Sequence, residues 1–268
     1  MFFKSKLSIF ASTLCVLMSL NVHSTVVEIR TSLGIIEVNL FDNTTPETVA
    51  NFLSYANSGA YASSVVHRSV SNFIIQGGGF QYTGPVAVNS FSLDSIATGT
   101  PVANDPKLSN MRGTIAMAKT SNPDSATSQW FINLSNNANS LDVATNAGGF
   151  TVFGQVVGDG MQVVDAIAAL TLLNGAGAFG ELPIRSYTQT DVNNEVPITD
   201  DNLVVISDIV VTDASTDTAG NLNPTLNTLV NPPTGGGGSS TDDGGGGAVG
   251  WLLLLGLVML QKTRFLKR

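Results

Sequence analysis

Short apolar runs separated by glycine, serine and asparagine follow one another along this chain, and helical periodicity interrupts them only twice. The stretch "TVVEIRTSLGIIEVNLF" reads as a β-hairpin, with Val27, Ile29, Ile36, Val38 and Leu40 alternating around a Ser32-Leu33-Gly34 turn. Further strands are expected at Val65–Arg68, Phe73–Gln76, Thr114–Ala118, Gln129–Leu134, Thr151–Val157 and Asn202–Val211. One helix should start at Thr44-Thr45-Pro46-Glu47, where Thr44 and Glu47 have capping-box spacing. It should bury Val49, Phe52, Leu53 and Ala56 and stop at Gly59. A second fits Met161–Leu170. Strands and helices do not alternate, so a parallel α/β sheet is excluded. A mainly β fold, closed into a barrel with helical caps, is expected.

The ends do not belong to that fold. Residues 1–24 carry Lys4 and Lys6, an apolar run from Leu7 to Leu20, then Val22-His23-Ser24. This order predicts a signal peptide for the Sec export machinery, cut after Ser24. Cleavage removes the sole cysteine, Cys15, and one of two histidines, His23, leaving His67. Disulfides, cysteine nucleophiles, thiolate zinc sites and multi-histidine metal clusters are thereby excluded, so stability must come from the core. After a domain over 25–213, residues 214–247 read as a flexible Gly/Ser/Asp-rich linker containing "TGGGGSSTDDGGGG". An apolar run, Ala248–Leu260, and the basic terminus "QKTRFLKR" complete residues 248–268. As a helix that run spans only about 20 Å, against roughly 30 Å for a hydrocarbon core. The tripartite tail resembles the GlyGly-CTERM sorting signals of Gram-negative bacteria. That resemblance implies transient membrane attachment through the tail, cleavage by a rhomboid-like protease, and a periplasmic, surface or extracellular location.

All the acidic residues except Asp242 and Asp243 lie between the two ends, against six basic ones: Arg30, Arg68, Lys107, Arg112, Lys119 and Arg185. Such a domain repels nucleic acid. Against that background Arg68 is conspicuous in "VVHRSVSNFIIQGGGF", between two apolar runs and ahead of Gly77-Gly78-Gly79. The glycines are not a phosphate loop, because no lysine or helix start follows them. They read as a sharp strand exit that uses positive φ. A lone His67 is a poor metal site and reads as a core residue. No Gly-x-Ser-x-Gly elbow presents a serine to it, so conventional nucleophilic chemistry is excluded.

Three blocks, "HRSVSNFIIQGGGF", "RGTIAMAKTSNPDSATSQWFINL" and "FTVFGQVVGDGMQVVDAI", resemble the cyclophilin-type peptidyl-prolyl isomerases over about Val26–Val211. The resemblance implies a closed eight-stranded antiparallel barrel capped by two α-helices, with a groove for proline-containing polypeptide substrates and no cofactor. It also implies an isomerase that needs neither nucleophile nor proton transfer. Amide rotation, opposed by a barrier of about 18–20 kcal/mol, localises the nitrogen lone pair. A guanidinium aimed at that nitrogen stabilises the twisted state above the planar ones. Arg68 takes that role by resemblance. Phe73 forms a wall of the proline pocket, and Gln76 hydrogen-bonds the substrate backbone and helps orient the arginine. Ile74, Ala118, Gln129, Phe131 and Leu141 complete the groove, with Phe131 as the pocket floor. Ile74 stands where a methionine is common, a modest apolar change, and four further positions depart from the family. Lys119 replaces an asparagine and changes the rim, and Thr120 replaces a small alanine. Ser140 stands where cyclosporin-sensitive members carry tryptophan, implying weak cyclosporin binding. Phe150 stands for histidine or tyrosine and keeps an aromatic wall. A non-catalytic barrel that holds proline segments, as chaperone or surface scaffold, is the competing reading. The loops 81–110 and 174–202 are less legible. A calcium site in the second is conceivable, but its acidic residues lack calcium-loop spacing.

Overall fold

The computed structural model describes residues 25–175, 177–214 and 222–230. The expected signal peptide over 1–24, the glycine-rich part of the linker and the tail over 248–268 lie outside them. Among the described residues no helix is long and apolar enough to cross a membrane.

Alternation places the N-terminal hairpin as expected: β1 (Val26–Thr31) and β2 (Gly34–Leu40) pair antiparallel, with Val27 opposite Val38 and Ile29 opposite Ile36. The strands that follow are shorter: β3 (Ser64–Val65), β4 (Arg68–Val70), β5 (Ile74–Gly77), β6 (Phe80–Gln81), β7 (Asp94–Ser95), β8 (Thr114–Met117), β9 (Trp130–Asn133) and β10 (Val152–Val156). A small hairpin, β11 (Thr171–Leu173) with β12 (Leu182–Ile184), precedes the long last strand, β13 (Val205–Asp213). Among the described residues eleven strands form one sheet, in the order β4-β5-β9-β8-β10-β2-β1-β13-β3-β6-β7.

This corrects the expected closed eight-stranded barrel. The sheet curls, but its ladder stays open, with β4 and β7 at the two edges. The cause is a break in the strand expected over Val65–Arg68. β3 pairs with β13 and β6, whereas β4 pairs with β5. The chain crosses that seam at Val66 and His67, where Val66 N–H donates to the Val204 carbonyl and His67 N–H to the Gln76 carbonyl, each at 3.0 Å.

Among the described residues four α-helices replace the expected two: α1 (Pro46–Asn57), α2 (Ala138–Leu141), α3 (Gly160–Ala168) and α4 (Gln189–Asn193). α2 and α4 are too short for a 3.6-residue period to register in the sequence. α1 begins one residue later than the Thr44–Glu47 box implies. Pro46 occupies the first turn, Thr45 is the N-cap, and no side chain caps it. The Thr45 hydroxyl donates instead to the Val152 carbonyl at 3.4 Å.

Period-two alternation divides the core. Ile75, Ile115, Met117, Trp130 and Ile132 point inward with Val27, Ile29, Phe52 and Phe153. Their neighbours Ile74, Ala116, Ala118 and Phe131 face outward and join Phe41, Leu108, Leu141, Phe150 and Val152 in a second cluster. A third cluster, with Val65, Phe80, Phe179, Leu182 and Ile198, fills the seam side. Part of the stretch read as linker also lies on the domain. Ser109 N–H donates to Thr225 and Asn227 N–H to Lys107, at 2.8 and 2.9 Å, and Leu222 packs on the second cluster.

Candidate active site

Four adjacent strands place the central residues in one cross-strand row. Arg68 on β4 lies opposite Gln76 on β5, Gln76 lies opposite Phe131 on β9, and Phe131 lies opposite Ala116 on β8. Directly opposed residues share a sheet face, so register alone gathers side chains that are far apart in sequence. Arg68, Gln76, Ala118, Lys119, Thr120 and Gln129 line an open cleft of about 250 Å³. Phe73, Ile74, Phe131, Leu141 and Phe150 belong to the outward apolar cluster on the same face. All eleven sequence-predicted site residues therefore fall on one side of the molecule.

The glycine corner has a steric cause. Gly78 takes φ +75°, and a Cβ there would sit 2.6 Å from the Ser128 carbonyl and 2.8 Å from Trp130 Nε1. At Gly77 a Cβ would meet the Trp130 ring at 3.0 Å, and at Gly79 it would meet Gln129 at 2.8 Å. The sequence reading anticipated positive φ, which holds at Gly78. The other two glycines admit Trp130 and Gln129 against the backbone, and Gln129 is thereby placed beside Gln76.

Gln76 is 2% exposed. Its Nε2 donates to Gln129 Oε1 at 2.8 Å, while its Oε1 is buried without a partner. The expected support of Arg68 by Gln76 is not what holds the guanidinium. Arg68 Nε donates to Glu181 Oε2 at 2.8 Å, and Arg68 Nη1 is buried with no hydrogen bond. Buried polar atoms are normally paired. The unpaired donor and the unpaired acceptor lie on neighbouring strands, and both residues line the cleft. Glu181 was missed in the sequence because it lies in the loop after β11, where nothing marks one glutamate among several acidic residues.

Beside these polar atoms the wall is apolar. Phe131 and Phe150 are 2% and 3% exposed. Their rings meet edge to face, with centroids 5.8 Å apart at 72°. Lys119, expected to alter the rim, turns inward. Its Nζ donates to the Ala147 carbonyl at 2.6 Å and lies 4.3 Å from the centre of the Phe150 ring. Burial pulls its pKa down from 10.5 to about 8, opposed by the charge of Asp124. Thr120 stays at the exposed edge, where its hydroxyl and the Ser125 hydroxyl share a hydrogen bond of 2.8 Å. Ser140 donates its hydroxyl to the carbonyl of Asn137, the N-cap of α2, at 3.1 Å and presents no ring.

His67 is a core residue, edge-on to Phe80 with centroids 4.9 Å apart at 77°. Burial lowers its pKa to about 4, so it is neutral at physiological pH. Among the described residues no three His, Cys, Asp or Glu side chains come together as a metal site.

Comparison with known proteins agrees with this geometry. The family described as cyclophilin type peptidyl-prolyl cis-trans isomerase/CLD matches residues 26–189. A peptidyl-prolyl cis-trans isomerase of Acinetobacter baylyi is 45% identical over 147 residues, covering 54% of this chain and 72% of that protein. Peptidyl-prolyl cis-trans isomerase A of Dickeya dadantii is 44% identical over 164 residues, covering 60% of this chain and 80% of that protein. Peptidyl-prolyl cis-trans isomerase B of Escherichia coli is 41% identical over 145 residues, covering 53% and 82%. The crystal structure of a cyclophilin type isomerase from Cryptosporidium parvum shares the fold, with a TM-score of 0.50 at 23% identity over 71% of this chain and 98% of that one. Its sheet, its groove and these relatives together place the chain in the cyclophilin-type peptidyl-prolyl cis-trans isomerase family.

Proposed function

We propose that Arg68 carries the rotation of X-Pro bonds that this family of isomerases performs. The observation behind this reading is the row Arg68–Gln76–Phe131, which sets a buried unpaired donor and a buried unpaired acceptor beside an aromatic wall. The pyrrolidine ring of proline has no polar edge and suits the apolar cluster of Phe73, Ile74, Phe131, Leu141 and Phe150, of which Phe73 is the half-buried member. Gln76 Oε1 accepts a backbone N–H of the bound peptide. Arg68 Nη1 then faces the prolyl nitrogen and donates to its lone pair as the amide twists. Such a donor favours the twisted state over both planar ones, and that difference is what lowers the barrier.

Free X-Pro bonds exchange in tens of seconds. Acceleration by about four decades requires roughly 5–6 kcal/mol. A preorganised donor supplies about 3–4 kcal/mol of this in known cases. Exclusion of water and a fixed carbonyl share the remainder. Nothing in the scheme is protonated or oxidised. The test follows cis–trans exchange of a short X-Pro peptide by NMR, with the purified protein and with Arg68→Ala. Loss of most of the acceleration in the variant, with peptide shifts on binding retained, supports the reading; equal rates refute it.

We read the termini as an export and sorting system: a Sec-dependent signal peptide, then a tail attached transiently to the membrane and cut by a rhomboid-like protease. The Lys4/Lys6 leader and the Ala248–Leu260 run before "QKTRFLKR" support this. Mass spectrometry of the protein recovered outside the cytoplasm checks it, the expected species lacking residues 1–24 and the apolar tail. A full-length cytoplasmic species would contradict it.

A further inference from the structure

The geometry points to Glu181 as a positioning residue for Arg68, held in place by the loop between β11 and β12. This inference rests on the reading of Arg68 given above. Glu181 grips β4 twice. Its carboxylate accepts from Arg68 Nε at 2.8 Å, and its backbone carbonyl accepts the N–H of the next residue, Ser69, at 2.8 Å. The main-chain bond fixes where the carboxylate starts, and the side-chain bond fixes where the guanidinium ends. An arginine side chain has large rotamer freedom, and its planar fork is oriented once one N–H is tied down. With Nε committed to Glu181, the unpaired Nη1 is left for a ligand.

The loop is itself anchored in the core. Phe179, two residues before Glu181, packs between Phe80 and Phe91, with ring centroids 4.8 and 5.0 Å away. Phe80 in turn holds His67, the residue before Arg68. Gly177 and Ala178 of the same loop line the cleft with Arg68. The loop thus forms a further wall of the site. The ion pair is partly solvated, with side chains 25% and 39% exposed. Pairs of that kind add little to folding stability. Its consequence is therefore geometric, and this separates a positioning role from a structural one.

The experiment measures kcat and KM for a short X-Pro peptide by NMR exchange, together with thermal melting, for the protein, Glu181→Ala, Glu181→Gln, Arg68→Ala and the Arg68→Ala/Glu181→Ala double variant. We expect Glu181→Ala to lower kcat about tenfold with KM little changed, short of the roughly hundredfold that a 1 Å misplacement costs. Melting should be unchanged. Glu181→Gln, which keeps a neutral acceptor for Nε, should recover most of the loss. The alanine effect should vanish in the Arg68→Ala background. The Arg68 Nε–Hε signal should lose its hydrogen-bonded shift in Glu181→Ala. If Arg68→Ala is inactive while Glu181→Ala keeps full kcat, or if the two losses simply add, positioning by Glu181 is overturned and the arginine reading survives. If Arg68→Ala is itself fully active, both readings fail.

Discussion

Acid should destabilise this protein through His67. The imidazole is 1% exposed. Burial lowers its pKa from 6.5 to about 4; a backbone hydrogen bond at Val65 opposes the shift, and the Arg68 charge adds to it. An unfolded chain takes up this proton near pH 6.5, whereas the folded chain resists until about 4. Between those values the unfolded state binds more protons, so stability falls as pH falls and the loss is complete below about pH 4. Taken up against that resistance, the proton costs roughly 2–3 kcal/mol at pH 4.5 and slightly more below pH 4. Urea unfolding of the protein and of His67→Leu at pH 7.5 and pH 4.5, followed by circular dichroism, measures it. The carboxylates are common to both proteins, so the change in their stability gap isolates the imidazole. Acidification should move that gap by roughly 2–3 kcal/mol in favour of the leucine variant, worth about 5–10 °C in melting temperature at this size. A gap constant to within about 0.5 kcal/mol would show that His67 takes its proton in the folded state, and the burial argument would fail.

Arg68→Lys should lose activity almost as fully as Arg68→Ala, about 10²–10³-fold, because one ammonium cannot both satisfy Glu181 and reach the substrate. Recovery of most activity by lysine would reduce the role of Arg68 to bare charge. Isomerisation rates should be flat from about pH 6 to 7.5, since His67 titrates below and Lys119 above that window. A step should follow near pH 8, where Lys119 loses the charge it holds against Phe150; a bell centred on neutrality would contradict a mechanism without proton transfer. Gly78→Ala should destabilise by at least about 2 kcal/mol in urea unfolding, since φ +75° strains a side chain and the Ser128 carbonyl occupies its space. Cyclosporin should bind weakly, because Ser140 offers no aromatic surface. Saturation at submicromolar concentration in a fluorescence titration would refute that.

Sequence periodicity sufficed for the N-terminal hairpin, for α1 and α3 and for most strands, because a period of 2 or 3.6 records which face each residue buries. The residue types of the groove were also legible: an arginine, a glutamine and phenylalanines recurring in ordered blocks, and a glycine corner using positive φ, which the structure places at Gly78 alone of the three. Opening of the ladder at Val66–His67 was not legible. That break depends on which neighbours, β13 or β5, claim the amides of a strand whose apolar pattern runs on unbroken. The folding of residues 222–230 onto Lys107 and Ser109 was hidden likewise, since polar linker composition says nothing about backbone bonds to a distant edge. Lys119 read as a rim charge, yet the Ala147 carbonyl and the Phe150 ring draw it inward. Glu181 illustrates the division most plainly. The chain alone determined that an arginine stands before a glycine corner. Which carboxylate holds that arginine was decided only when the sheet's curl brought a loop more than a hundred residues away to within 2.8 Å of its Nε, because a hydrogen bond depends on position in space and leaves no period in the sequence.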